Sequence, residues 1–290
     1  AVAADIEPDF PNVAVCTLAY QYTRKPPQHV RPRANVIVQL CSIECSFSKP
    51  LADDRNRKFR EDIEGWSKVC NRLYIWDYTT NFHHYVLPHP NLRILGPNMK
   101  FFAEHNVKGV FEQGAYQSYG SEMAELRAWV LAKLLWNPSL DARKLIDEFL
   151  DGYYGPAAEH VRVYLELTHD AVQASGDDLG CFSPKDAKFL NLRVLSQGLT
   201  HLQAAETAAG DDAALRHRIR VAQLPIFYAF LIRWDDLHKE AIASTTPWPV
   251  DPAKPALYQR FMTIAAAEKI TFLSEGNSID WLKTQTRPAE

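Results

Sequence analysis

Four apolar segments of strand length dominate the first 114 residues, and each of them passes directly into a polar loop. We predict strands over residues 13–20, 35–40, from 72 onward, and 107–114. An amphipathic helix is predicted over residues 53–71, where Phe59, Ile63 and Trp66 recur at helical spacing among charged residues. A shorter helix, beginning at Pro97, precedes the fourth strand. This alternation is typical of parallel βα units and predicts an α/β fold.

The pattern changes after Gly120, where strand signals end and helical periodicity begins. Helices are predicted from residue 121, over 139–150, from 156, over 183–208, over 211–241 with a kink at Pro225, and over 255–273. Ser183 is the predicted N-cap of its helix. We therefore predict a half barrel of four βα units over residues 1–120 and a helical region over residues 121–290, whose first helix closes the barrel. The first part is half of an eight-stranded (β/α)8 TIM-like barrel, which the resemblance described below implies to be the C-terminal half, or a small open sheet.

Composition and charge exclude several classes of function. The chain has 290 residues, 47% of them apolar, which is enough for a sizeable core. A net charge of −3 with scattered basic residues gives no basic face, so we predict no nucleic-acid partner. No uninterrupted apolar run approaches the roughly 20 residues of a membrane span, so we predict no membrane association. The five cysteines favour buried thiols, although a disulfide or a zinc site using Cys41, Cys45 and Cys70 remains an alternative.

Three acidic residues, Glu44, Asp77 and Glu112, lie where predicted strands end. Because parallel barrel strands open their carboxyl ends on one face, these side chains are expected to converge and are our candidate catalytic residues. Paired carboxylates suit glycosidic-bond hydrolysis, in which one acid protonates the leaving oxygen and the other activates water. An acid at a strand end can also cap the next helix or pair with an arginine.

The residues around these acids describe a sugar pocket. Aromatic rings offer flat apolar surfaces on which a sugar can stack, while amide and imidazole groups can bind hydroxyls. The predicted substrate-binding residues are Tyr20, Trp76, Tyr78, His83, His84, Gln113 and Tyr116. The strand aromatics could instead be core residues, and the adjacent histidines could bind a metal, but a third spaced ligand is lacking. With no glycine-rich phosphate loop in the sequence, we predict no cofactor and no metal.

Several segments resemble the bacterial family known as domain of unknown function 4838. They are residues 35–45, 74–78, 109–114, 134–138 and 148–155. The resemblance covers roughly residues 10 to 170. More distantly, the same order is similar to the second half of the barrel of glycoside hydrolase family 67, the α-glucuronidases.

The α-glucuronidase resemblance implies specific roles for two acids. Ile43-Glu44 with Pro50, and Asp77-Tyr78, stand at the places of that family's catalytic motif, although the proline is one residue late and the two acid types are exchanged. Glu44 and Asp77 would then activate the attacking water in an inverting mechanism. The proton donor would lie upstream, so we expect a missing barrel half upstream of this chain or a second copy of the chain to complete it.

We therefore expect a glycoside hydrolase, or the C-terminal fragment of one, that cleaves a terminal sugar from a glycan. The alternative is a non-catalytic carbohydrate-binding or structural protein that retains an aromatic cleft. The absent proton donor favours this alternative for the chain as given. Glycan hydrolysis would suit a secreted or periplasmic protein, and the sequence identifies neither the sugar nor its linkage.

Overall fold

The computed structural model describes residues 1–285 of the chain. A parallel sheet contains four strands in the order in which they occur along the chain. They are β1 (Val15–Ala19), β2 (Val36–Cys41), β3 (Leu73–Tyr78) and β4 (Val107–Gln113). All four lie within the predicted segments, except that β2 extends one residue further, to Cys41. The predicted α/β fold with a parallel sheet is confirmed.

The described residues form eleven α-helices. They are α1 (Val2–Ile6), α2 (Arg57–Val69), α3 (Leu92–Glu104), α4 (Ala124–Trp136), α5 (Ala142–Tyr154), α6 (Ala158–Ser175), α7 (Leu192–Ala208), α8 (Ala213–Ile232), α9 (Trp234–Ser244), α10 (Lys254–Ala267) and α11 (Trp281–Thr284). No helix in residues 1–285 is both long and apolar enough to cross a membrane.

The two faces of the sheet have different surroundings. Successive strand residues project to opposite faces, and β3 alternates strictly between buried and half-buried positions. Its buried residues Leu73 and Ile75 join one hydrophobic cluster with Phe59 of α2 and Met99 of α3. This is the helix-covered face. The other face, which we call the open face, is not covered by these helices.

Side chains on the open face are accordingly more exposed. Leu18 of β1 and Phe111 of β4 retain 44% and 47% of their accessible surface. Within residues 1–285 the sheet does not close, because β1 and β4 are its edge strands. Such a sheet is compatible with half of a barrel, whose interior would lie over the open face.

Several predicted boundaries are wrong. The connection from β1 to β2 contains only a short 3-10 turn, Gln21–Thr23, so the first of the four predicted βα units has no helix. The helix α7 begins at Leu192 rather than at residue 183, because the Asn191 side chain accepts the backbone N–H of Val194 and caps it. Ser183 instead exchanges hydrogen bonds with Gly180, whose N–H it accepts at 2.8 Å.

Other helices differ in length from the prediction. The helix predicted from Pro97 begins at Leu92, and Pro97 lies inside it. The segment predicted as one helix with a kink at Pro225 forms two helices. The break between α8 and α9 lies at Arg233, and Pro225 lies within α8. The last predicted helix ends at Ala267, six residues early. All five cysteines are free thiols, so the alternative of a disulfide is wrong.

Candidate functional site

A cavity of about 310 Å³ lies at the carboxyl end of the open face; we call it the hollow. The sheet contributes Leu18, Cys41, Trp76, Tyr78 and Gln113. The loops after the strands contribute Tyr20, Ile43 and Phe82, and the C-terminal half contributes Cys181, Phe182 and Glu275. Four of the predicted substrate-binding residues, Tyr20, Trp76, Tyr78 and Gln113, therefore line one cavity, as the convergence of parallel strand ends predicts.

The floor of the hollow is held in place by contacts between neighbouring strands. The indole N–H of Trp76 donates to the Gln113 side-chain oxygen at 2.6 Å. The Trp76 ring also meets the Phe111 ring edge-on, with centroids 5.0 Å apart. Because both contacts join β3 to β4, the indole is oriented before any ligand arrives, which lowers the entropic cost of binding.

Glu275 is the carboxylate of the hollow, and the sequence analysis missed it. It lies at the tip of a hairpin-like turn, residues 271–279, in which Phe272 pairs with Ser278. The backbone N–H of Glu275 donates to the Phe82 carbonyl at 2.8 Å, and its carboxylate accepts the Tyr116 hydroxyl at 3.0 Å. This carboxylate also acts on Cys181, whose pKa is raised to about 12, first by burial and then by the Glu275 charge.

Asp77 and Glu112 form a separate carboxylate pair beside each other on β3 and β4. They are direct register partners, so their backbones are about 5 Å apart. By strand alternation both project toward the helix-covered face, opposite to Trp76 and Gln113. The Ser42 hydroxyl donates to Asp77, whereas both carboxylate oxygens of Glu112 are buried without a hydrogen-bond partner. The structure thus brings two predicted acids together, but not over the hollow.

Burial controls the protonation of this pair. Loss of hydration raises the pKa of Asp77 to about 6, and the hydrogen bond from Ser42 opposes this rise. Burial, together with the charge of Asp77, raises the pKa of Glu112 well above its ordinary range. Ionising both of two carboxylates this close together is unfavourable in free energy, so the pair retains one proton up to neutral pH.

Glu44 lies apart from the other two acids. Its side chain is 55% exposed and is bound by the Arg24 guanidinium, which also donates to Asp62 at 2.6 Å. Glu44 and Arg24 line a second cavity of about 600 Å³. This cavity adjoins the hollow, since Ile43 lines both. An arginine pairing of this kind is the alternative role considered for such an acid.

A family model for a domain of unknown function (DUF4838) matches residues 1–166. The chain belongs to the DUF4838 family. The predicted family membership is confirmed, and the matched segment contains all four strands and extends into α6. Searches of curated proteins and of solved structures returned no match.

The DUF4838 segment supplies the floor of the hollow, and the remaining chain supplies one wall. Cys181, Phe182 and Glu275 all lie beyond residue 166. The hollow is therefore built jointly by the family segment and by the helical region that follows it.

The remaining predicted binding residues of this DUF4838 protein, His83, His84 and Tyr116, are not among the residues that line the hollow. The His83 ring packs against Phe182 at 5.0 Å between centroids. His84 is directed away, with its Nδ1 2.9 Å from the Tyr228 hydroxyl, and burial lowers its pKa to about 4. Tyr116 acts through Glu275, to which it donates.

A buried ion pair anchors the loop after β3, and it too was missed. Arg127 and Glu122 lie 3.0 Å apart, with side chains only 4% and 2% exposed. Arg127 also donates to the Asn91 side chain at 3.0 Å, and Asn91 donates to the Thr79 carbonyl. This network joins α4 to both ends of the loop that carries His83 and His84. Within residues 1–285, no group of three or more His, Cys, Asp or Glu residues is arranged to hold a metal ion.

Proposed function

We propose that this protein binds a carbohydrate in the hollow. The observation that carries this proposal is the oriented Trp76 ring, hydrogen-bonded to Gln113 and flanked by Tyr20 and Tyr78. A sugar ring stacks on such an aromatic surface through its C–H groups, while its hydroxyls bind amide and carboxylate groups at the edge. Gln113 and Glu275 supply those polar groups. The cavity volume of about 310 Å³ lies at the lower end of the range of small-molecule pockets.

Glycoside hydrolysis is the second candidate function. It is favoured by the Asp77–Glu112 pair, because a carboxyl that keeps a proton near neutral pH is what proton transfer requires. The α-glucuronidase resemblance assigns water activation to Glu44 and Asp77, and Glu44 is accessible to solvent. Binding takes precedence because Asp77 and Glu112 project away from the hollow. Hydrolysis in the hollow would require these acids, which lie on the helix-covered face, to reach a substrate on the open face around the ends of the strands.

The proposed hydrolase also requires the rest of a barrel. We propose that the open face and the edges of β1 and β4 are covered by further strands upstream, or by a second copy of the chain. The half-exposed Leu18 and Phe111 support this proposal, because unpaired strand edges beside exposed apolar side chains favour association. The hollow would then lie at the mouth of the completed barrel.

Substitution of Trp76 tests the binding proposal. Isothermal titration with a panel of methyl glycosides should give at least one ligand, and Trp76→Ala should weaken its binding about tenfold or more, the scale of one stacked ring. Trp136→Ala is the matched control, since Trp136 is 91% exposed on α4 and does not line the hollow. Circular dichroism would verify that both variants fold. Equal effects of the two substitutions, or the absence of any ligand in the panel, would contradict the proposal.

The hydrolase candidate has its own test in the full-length protein. Glu44→Gln and Asp77→Asn should each reduce cleavage of aryl glycosides by at least about a hundredfold, as expected for loss of an acid–base group. If both variants cleave at the parent rate, the catalytic assignment of these acids is wrong, whereas the binding proposal is unaffected.

A further inference from the structure

Glu275 introduces a charge into a hollow whose other walls are uncharged. This inference rests on the proposed carbohydrate binding and concerns which sugars the hollow accepts. Among the described residues, those that line the hollow include no Lys, Arg or His, so Glu275 is the one charged side chain there. A carboxylate accepts hydrogen bonds and cannot donate them when ionised. The hollow therefore presents an acceptor of negative charge without a compensating cation.

Glu275 is held in place by one contact of its carboxylate and two contacts of its backbone. The Tyr116 hydroxyl binds one oxygen, and the backbone N–H of Glu275 is bound to Phe82. The Gln117 side chain donates to the Glu275 carbonyl at 3.2 Å, and Tyr85 in turn donates to the Gln117 side-chain oxygen at 2.8 Å. These contacts tie the turn that carries Glu275 to the loops that follow β3 and β4.

The adjoining cavity holds cations, but none of them lines the hollow. It contains Arg24, but the Arg24 guanidinium is bound by two carboxylates, Glu44 and Asp62. Arg55 of the same cavity pairs with Asp178, and Arg57 and Lys58 lie there too, but none of these residues lines the hollow. Within the hollow itself, a ligand carboxylate would meet the like charge of Glu275 and no cation among the described lining residues.

The aromatic lining of the hollow also favours a cationic ligand over an anionic one. The faces of the aromatic rings of Trp76, Tyr78 and Tyr20 are electron-rich. Such faces attract an ammonium group of a ligand but do not attract a carboxylate of a ligand. Carboxylate and aromatic faces together describe a site for a cation or for neutral hydroxyl donors.

We propose that the hollow selects sugars by charge: it accepts a neutral pyranose, binds one with a protonated amine beside Glu275 more tightly, and rejects a uronate. This selectivity is opposite to that implied by the α-glucuronidase resemblance. The positively charged residues that recognition of a uronate needs are not among the described residues of the hollow.

Three series of probes test this proposal with the whole chain. Each series, in the gluco, galacto and manno configurations, contains a methyl glycoside, the corresponding amino sugar and the corresponding uronate. Dissociation constants would be measured by titration calorimetry at about pH 6, where the amine is protonated. We expect the amino sugar to bind about tenfold more tightly than the neutral glycoside, and the uronate at least about tenfold more weakly, the effect of one charged hydrogen bond gained or one repulsion added.

Glu275→Gln should abolish both differences, because Gln keeps the acceptor for Tyr116 but removes the charge. Glu148→Gln is the matched control, since Glu148 is exposed on α5, does not line the hollow, and its substitution changes the net charge equally. If a uronate binds as tightly as its neutral partner, or if Glu275→Gln retains the preference for the amine, charge selection is refuted while carbohydrate binding stands. If no probe binds the parent chain, both proposals fall.

Discussion

The carboxylate pair in the sheet should make the stability of this protein depend on pH in an unusual direction. Asp77 and Glu112 are buried side by side, and the Glu112 oxygens have no hydrogen-bond partner. Their ionisation in the folded state is therefore unfavourable, whereas in the unfolded chain both ionise in water. Asp77→Asn removes one ionisable group and keeps an oxygen that can accept the Ser42 hydroxyl.

The size of the effect follows from the pKa of Asp77. A rise from the ordinary 3.8 to about 6 corresponds to about 3 kcal/mol. Because the folded-state pKa is the higher one, the folded protein binds more protons between these values. The stabilisation is thus fully present below about pH 4 and is lost as the pH rises through about 6. Glu112, whose pKa is also raised, extends the loss to higher pH.

Urea denaturation from about pH 4 to pH 8 would measure this dependence. The free energy of unfolding of Asp77→Asn minus that of the parent should increase with pH, by about 3 kcal/mol in total, mostly between about pH 4 and pH 6. Glu148→Gln, at an exposed position, should give a nearly constant difference. A difference between Asp77→Asn and the parent that stays flat, or that decreases with pH, would show that Asp77 ionises freely in the fold and would refute the assignment of this pair to a dry environment.

Further substitutions test the contacts that anchor the loop and the start of α7. Arg127→Met should lower the free energy of unfolding by about 3–5 kcal/mol in urea denaturation, because it leaves the buried Glu122 unpaired, and adding Glu122→Leu should recover most of this loss; no recovery would mean that packing, not charge, dominates. Asn191→Ala should cost about 1 kcal/mol through loss of the α7 cap, measured in the same way. Ser183→Ala should leave helicity by circular dichroism unchanged, and a loss of helicity there would restore Ser183 as the start of the helix.

The parallel sheet was predictable because each strand satisfies a local and a global requirement at once. Val38 and Leu40 of β2, like Leu73 and Ile75 of β3, are apolar on the face that helices cover, and they occur in segments too short for helices. The helix α2 was predictable for the complementary reason, since its apolar positions recur with the helical period and are buried in the structure.

The start of α7 was not predictable from local signals alone. Ser183, followed by a proline, has the composition of a helix start, and so does Asn191. The choice is made by a tertiary contact, because Ser183 is buried and its hydroxyl is already bonded to Gly180. Asp177 also accepts the backbone N–H of Phe189, which holds the intervening segment outside the helix. Capping propensity indicates several possible helix starts, and tertiary packing determines which of them forms.

The period of a strand could have separated the predicted site residues into two groups. Trp76 and Tyr78 share one face of β3, and Asp77 between them must project to the other. The same holds for Gln113 and Glu112 on β4. A convergence of strand ends therefore brings aromatic and amide groups together on one face and carboxylates together on the other, so a single pocket with all of them was not available to these strands.

The charge of the hollow, by contrast, comes from a residue that no strand pattern could indicate. Glu275 lies about 190 residues beyond Phe82, in a turn that follows α10. The turn is held by two backbone hydrogen bonds, from Glu275 N–H to the Phe82 carbonyl and from Tyr85 N–H to the Leu273 carbonyl. The family segment, residues 1–166, ends well before it. The group at position 275 and the aromatic floor therefore lie in different parts of the chain. If Glu275 recognises the charge of the ligand, changes in the turn that carries it should alter charge selectivity and leave stacking on Trp76 intact.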